Sequence, residues 1–345
     1  MSPKSAQNEL CTLIPAGPFH VHPVVSCTDT AAISSLPITS EEVDHDAEPL
    51  ETSTELVETA TAPPEIQLLQ SDVDGDSDSH LRILVNGQHI KYIIVAPNIY
   101  EAADMCFPPT LANIMPPLPA SDWDVGTISK HPATGEPYFE TAVTIELRGV
   151  RSAWHPTSFD YLHGLTLGAK LRTNVYEATV PGSPATVIAK FARFDWEIDL
   201  LDNECAVYKW IEGRAIGPKF LGNITEHGRV IGFVIERIAN ALHAGPDDLY
   251  ACKEVLAKLH GTGIVHGDTN KHNFLVTDGR ATLIDFDCAR ATEDKGVLEK
   301  EMQALEAQLA ETSGMGGISP SSAVASRPLP ALTANQHPSS SHLRH

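Results

Sequence analysis

The sequence predicts an α+β fold, strand-rich in its first ordered half and helix-rich in its second. Three observations carry that expectation. An Asn86-Gly87 pair between two β-type runs at 81–95 marks a hairpin. From about Ser158 the periodicities run strand, strand, helix, strand, helix, loop, strand, helix. Composition changes sharply near residue 80, so the fold does not use the whole chain.

Residues 1–80 hold 15 Asp and Glu against one cation, Lys4, a net of −14 within a total of −21 for all 345 residues. Ser, Thr and Pro are frequent there, and Phe19 is the one aromatic residue. Such a segment cannot bury enough apolar surface to offset the entropy of ordering it, and it reads as a disordered acidic arm. Residues 313–345, rich in Ser, Pro, Ala and Gly, read as a disordered tail. What remains is long enough for a core. The stretch SDVDGDSDSH (71–80) spaces Asp72, Asp74 and Asp76 like a calcium loop. Ser77 stands where that loop needs Gly, and Ile83 where it needs a bidentate Glu, so a solvated linker is expected.

The acidic balance argues against nucleic acid or an anionic membrane as the main partner. No window approaches 18 apolar residues, and the N-terminus lacks the basic-then-apolar plan of a signal peptide. The six cysteines form no CxxC pair. They are expected to be thiols used as small apolar residues in a reducing, intracellular setting, cytoplasmic or nuclear.

Residues 81–150 read as a small β-rich accessory segment. LRILVNGQHIKYIIV is the first hairpin, and GTISK and YFETAVTIEL, joined through PATGEP, form a second. The intervening CFPPTLANIMPPLPAS has too many prolines for regular structure. No chemistry is legible in this segment. A second domain is expected over 151–312, with strands and one helix to about 238 and mostly helices from 239. WEIDLLDNECAVYKWIEG is helical, with Glu197, Leu201, Glu204, Tyr208 and Ile211 on one face. PDDLYACKEVLAKLHGTG is a helix opened by Pro246 and stopped by Gly261. The last helix carries Leu298, Met302, Leu305 and Leu309 on one face, which suits packing on its own domain better than a coiled-coil partner.

Charge stands where charge is costly at four places. Lys190 lies inside the apolar strand VIAKFA. Glu204, on the inner face of the next helix, is its favoured partner, with Glu197 the alternative on the same face. A strand Lys paired with a helix Glu makes a fixed cationic grip for phosphates. In VHGDTNKHNFLV, Asp268 and Asn273 stand five apart. An Asp there can orient a hydroxyl or take its proton, and an Asn amide oxygen is a hard ligand suited to Mg²⁺. Asp285 ends the apolar run LIDF, where a carboxylate can bridge metal and phosphate. His266, grouped with Asp268 in this loop, is expected to hold it through a ring hydrogen bond rather than to act as acid or base. Singly, each is as well explained by a turn, a cap or a solvated side chain.

Together and in this order they resemble the signature set of the protein kinase-like superfamily. VIAK resembles the strand-lysine motif, NECAVYKWI the helix-glutamate region, HGDTNKHN the H-R-D-x-x-x-x-N loop, and DFD stands where D-F-G would be. The resemblance covers about 158–312 and implies a bilobal fold with a short C-lobe, binding ATP and Mg²⁺ as cofactors. It implies that Lys190 and Glu204 hold the α/β-phosphates and that Asn273 and Asp285 bind metal. Asp268 would serve the acceptor hydroxyl, and the backbone from Glu236 to Ile238 would meet the adenine edge. LGAKLRTNVYEA aligns with the phosphate loop but keeps only Gly168, with Lys170 and Thr173 in place of two glycines. A flap with side chains there cannot approach phosphates by backbone alone, so Lys170 or Arg172 would have to supply charge. Gly267 replaces the arginine of H-R-D, Asp287 the glycine of D-F-G, and no peptide-docking segment follows. These departures resemble the compact aminoglycoside phosphotransferase, lipopolysaccharide kinase and Rio-like kinases, and a group of fungal proteins of that branch.

The expected activity is therefore ATP-dependent phosphate transfer to a protein Ser/Thr or a small-molecule hydroxyl. The competing expectation is a pseudokinase that binds a partner through the acidic arm or the last helix. The acidic stretch 41–78, lying over a positive cleft, would be self-inhibitory. No repeating βα pattern supports a glycosidase barrel.

Overall fold

The computed structural model describes residues 64–311, and from Ile66 the chain clusters as one unit. The acidic arm up to residue 63, the tail beyond 311 and the self-inhibition expectation for most of 41–78 lie outside the described residues. The architecture is α+β, without a closed barrel, and fits a kinase-like fold.

The first sheet has five strands: β1 (Ile66–Asp72), β2 (Ser79–Val85), β3 (His89–Val95), β4 (Val125–Lys130) and β5 (Pro137–Val143), in that spatial order. All neighbours are antiparallel except β3 and β4. Two short helices, α1 (Ala102–Cys106) and α2 (Pro108–Ile114), connect that parallel pair. Asn86 and Gly87 take φ of 51° and 67° at the β2–β3 turn, the left-handed pair that the hairpin needs.

Three expectations are corrected here. The ordered chain begins before residue 81, since β1 lies within the stretch assigned to the arm. An average over eighty residues hides a seven-residue run whose Ile66 and Leu68 pack into the sheet's core. The proline-rich connection is not structureless, because Pro108 and Pro109 open α2. At the first helical positions the missing N–H has no intrahelical partner to lose. Cys106 is disulfide-bonded, whereas Cys205, Cys252 and Cys288 are free thiols.

The second sheet contains β6 (Ser158–Asp160), β7 (Thr166–Arg172), β8 (Val175–Thr179), β9 (Val187–Phe191), β10 (Phe220–Glu226) and β11 (Arg229–Glu236). Their order is β6-β10-β11-β9-β8-β7. The strand β10 was not expected. It pairs with β11 through His227 and Gly228, both at positive φ, a turn without the Asn-Gly or Asp-Gly signal. Helix α3 (Ile198–Ile211) packs on β11.

Strand alternation explains why VIAKFA is so apolar. Val187, Ala189 and Phe191 join a cluster that includes Ile90 and Leu84 of the first sheet. Ile188 and Ala192 join the opposite cluster with α3. Both faces of β9 are covered, so only Lys190 departs from an apolar run. Gly232 sits opposite Phe191 on β11, and a Cβ there would lie 2.2 Å from the carbonyl oxygen of Lys190. The close approach of these two strands at the lysine therefore requires glycine.

The rest contains α4 (Leu249–His260) and α5 (Lys295–Ala310), with short strands β12 (Leu242–His243), β13 (Ile264–Val265), β14 (Phe274–Thr277), β15 (Arg280–Leu283) and β16 (Arg290–Ala291). Leu305 and Leu309 of α5 are buried in one core with Leu256 and Leu259 of α4, so the last helix packs on its own domain.

Candidate functional site

Helix α3 brings Glu204 to Lys190, Nζ to Oε2 at 2.6 Å, and the same ammonium donates to Asp285 Oδ1. Glu197 instead pairs with Arg193, at 2.7 Å. Glu204 also accepts the Phe286 N–H through its other oxygen, at 3.2 Å. Asn203, next on the helix, donates to the carbonyls of Phe286, Asp287 and Ala289 at 3.3, 2.9 and 2.8 Å. One helix turn thus fixes both the lysine and the DFD segment. Asp285 has φ of 67°, a conformation uncommon outside glycine and tolerated best by Asn and Asp.

Burial works against the Lys190 charge, but Glu204 and Asp285 more than offset it and hold the ammonium protonated. Burial pushes the Glu204 carboxyl up to about 7, with Lys190 opposing. Asp285 is also raised by burial, yet Lys190 and Arg172 hold it below the ordinary range. Burial and the neighbouring Asp285 raise Asp287.

The loop after β13 is held from beneath. His266 is fully buried; its Nε2 meets the Ile284 carbonyl at 3.1 Å and its Nδ1 accepts the Asp268 N–H at 3.4 Å. Burial lowers its pKa, which suits a neutral ring donating at Nε2. His266 is thus tied into the loop by both ring nitrogens and does not line the cleft. Gly267 takes φ of 87°, and a Cβ there would lie 2.5 Å from the Cys288 carbonyl oxygen. That crowding explains why no arginine stands between His266 and Asp268. Glu301 of α5 accepts the N–H groups of His266 and Gly267 at 3.0 and 2.6 Å. Thr269 donates to Gln308 of the same helix.

Asp268 accepts from Asn270 Nδ2 at 2.9 Å, and from Asn273 Nδ2 at 3.0 Å. Asn273 is buried, and its Oδ1 has no hydrogen-bond partner. A cleft of about 470 Å³ opens here, lined by Arg172, His243, Asp268, Asn270, His272, Asn273, Asp285, Asp287 and Cys288. Arg172 Nη1 donates to Asp285 Oδ2 at 2.9 Å.

The donor set fits Mg²⁺. Asn273 Oδ1 is a buried acceptor without a donor, and Asp285 shares the same cleft. Both are hard oxygens, and Mg²⁺ takes one or two protein oxygens and completes its shell with water and phosphate. Among the described residues no group of three or more His, Cys, Asp or Glu gathers to hold an ion unaided.

Of the residues singled out in the sequence, Lys190, Glu204, His266, Asp268, Asn273 and Asp285 come together. Gly168 lies on β7, Glu236 ends β11 and Ile238 follows it; these three do not line the cleft, and neither do Lys190, Glu204 and His266, which sit behind Asp285 and Asp268. Asn203, Glu301 and Gln308 were missed, because they act through contacts 34 to 86 residues away in sequence. Only the short polar spacing around Asp268 is local enough to read.

The molecule is thus an α+β protein compatible with a kinase-like fold, with this cleft as its candidate site. No family model matches the chain. It is similar to a probable bifunctional tRNA threonylcarbamoyladenosine biosynthesis protein of Methanoculleus marisnigri, 40% identical over 80 residues. The match covers 21% of this chain and spans 15% of that relative's length.

Proposed function

We propose that the chain is an ATP- and Mg²⁺-dependent phosphotransferase of the compact kinase-like kind, acting on a hydroxyl. The observation that carries it is the partnerless, buried Oδ1 of Asn273, a residue that bonds Asp268 and lines the same cleft as Asp285. An unsatisfied buried acceptor costs free energy unless a ligand completes it. Asn273 and Asp285 would hold the metal, which supplies charge neutralisation at the phosphates when bound. Lys190, kept charged and aimed by Glu204, would grip the phosphates. Asp268, held open by Asn270 and Asn273, would orient the acceptor hydroxyl or take its proton. The partial likeness to a protein of tRNA threonylcarbamoyladenosine biosynthesis is in keeping with the kinase-like reading. The net charge of −21 argues against tRNA itself as acceptor, so a small molecule or a protein partner is the better first screen.

The test is thermal unfolding with and without ATP and Mg²⁺, beside Asp285→Ala. At a hundredfold over its dissociation constant the ligand stabilises the fold by about 2.7 kcal/mol. A Mg²⁺-dependent shift that disappears in the variant is the expected result; no shift at millimolar ATP sinks the reading. A pseudokinase is favoured by one observation, the Arg172–Asp285 ion pair across the metal position. Asp268→Asn separates the two, abolishing transfer in an enzyme and leaving partner binding intact in a pseudokinase.

A further inference from the structure

We infer that Arg172 is the phosphate ligand that replaces the missing glycine loop, and that it leaves Asp285 when nucleotide and metal arrive. The inference rests on the phosphotransferase reading and deepens it.

Four observations carry it. Each oxygen of Asp285 accepts from one cation, Oδ1 from Lys190 and Oδ2 from Arg172, so a metal on that carboxylate competes with them for its charge and lone pairs. Lys190 is the fixed one: its side chain is 10% exposed and also tied to Glu204, whereas that of Arg172 is 44% exposed. Arg172 ends β7 at the tip of an edge hairpin whose register is broken on both sides of Lys170. Such irregularities re-aim a strand, so the tip can shift without disturbing the sheet's core. Finally, Arg172 is the only Lys or Arg among the residues lining the cleft, against the carboxylates of Asp268, Asp285 and Asp287. A triphosphate entering that cleft needs a cation at its mouth. A guanidinium can exchange one carboxylate oxygen for phosphate oxygens while keeping charge-assisted hydrogen bonds.

The prediction has opposite signs for two ligands. In the full-length Arg172→Ala protein, Mn²⁺ alone binds Asp285 without competition. Its affinity, read by titration calorimetry, should rise about threefold to fivefold, the worth of a half-exposed ion pair. ATP with Mg²⁺ should bind at least about tenfold more weakly, the loss of a hydrogen bond to a charged group. Arg172→Gln keeps a polar side chain without the charge and should move both affinities in the same directions. Lys209→Ala, at an exposed cation of α3 that does not line the cleft, should change neither. If both affinities fall together, Arg172 merely holds the hairpin and the inference is overturned. It is also overturned if both stay unchanged while wild type binds ATP and Mg²⁺ normally. If wild type itself binds no nucleotide, the phosphotransferase reading fails first.

Discussion

Two buried ion networks flank the second sheet, and they differ in what they leave open. At Lys190 the carboxylates come from α3 and from the DFD segment, and one of them, Asp285, reaches the cleft. On the other side, Arg82 of β2 pairs with Glu226 of β10 at 0% and 1% side-chain exposure. Tyr92 donates to Glu226 at 2.5 Å, and Arg229 donates to both Glu226 and Tyr92 at 2.8 and 2.7 Å. Arg82 also lies 4.1 Å from the Tyr161 ring centre. This second network stitches the first sheet to the second, with Arg82 and Glu226 almost fully buried and Arg229 at 13% side-chain exposure. The atoms without partners differ accordingly. On the Lys190 side they are Asn273 Oδ1, on a residue that lines the cleft, and the Tyr208 hydroxyl, enclosed in the core. In the stitch they are two guanidinium donors, Arg82 Nε and Arg229 Nε, enclosed in protein. The same chemistry is ligand-ready in one place and purely structural in the other.

Breaking the closed network should have the largest effect. Glu226→Gln leaves two buried guanidiniums without a counter-charge, and removing one partner of a buried pair costs about 3–5 kcal/mol. The urea midpoint should fall accordingly. If the first sheet docks independently of this network, the midpoint will hardly move.

Acid and base titrations sharpen the contrast, because the two carboxylates shift oppositely. Burial raises Glu226, but Arg82 and Arg229 overcome it and hold its pKa below 4.5. Its contribution is complete above 4.5 and is lost as pH falls through the lower folded value. Glu204 is pushed by burial from 4.5 to about 7, so the folded state binds the extra proton. Its contribution is complete below 4.5 and is lost as pH rises toward 7. Stability measured from pH 3 to 8 should therefore show an acid limb that disappears in Glu226→Gln. A decline between 4.5 and 7 should disappear in Glu204→Gln. Identical profiles for the two variants would mean that both carboxylates sit in equivalent environments, against the geometry.

The two networks were unequally legible in the sequence. Lys190 stood out because it interrupts an apolar strand, and Glu204 because it falls on the inner face of the following helix. Their partnership is medium-range, 14 residues, with strand and helix directly connected. Arg82 also interrupts an apolar run, but its partner lies 144 residues away, at the end of a strand that periodicity alone did not mark. Asp268 and Asn273 could be read because their spacing is itself the geometry. Their support from Glu301 could not, since an acidic residue on an amphipathic helix looks the same whether it faces solvent or caps a loop. Gly267 was legible as a departure and not as a cause, because the crowding by Cys288 exists only in the folded loop.

The smallest effect tests the choice between the two helix acids. Glu197 pairs with Arg193, both side chains 12% exposed, outside the site. It also accepts the Arg193 backbone N–H at 2.6 Å, so it braces the entry to α3. Glu197→Gln should cost about 1.5–3 kcal/mol, the range for hydrogen bonds to a charged group, less than the buried Glu226 pair. The shift with ATP and Mg²⁺ should stay unchanged. Glu204→Gln should instead weaken that shift, because an amide cannot hold the Lys190 ammonium by charge. Equal loss of nucleotide response in both variants would mean that α3 senses the site as a whole. The specific Lys190–Glu204 contact would then lose its claim to orient the phosphate grip.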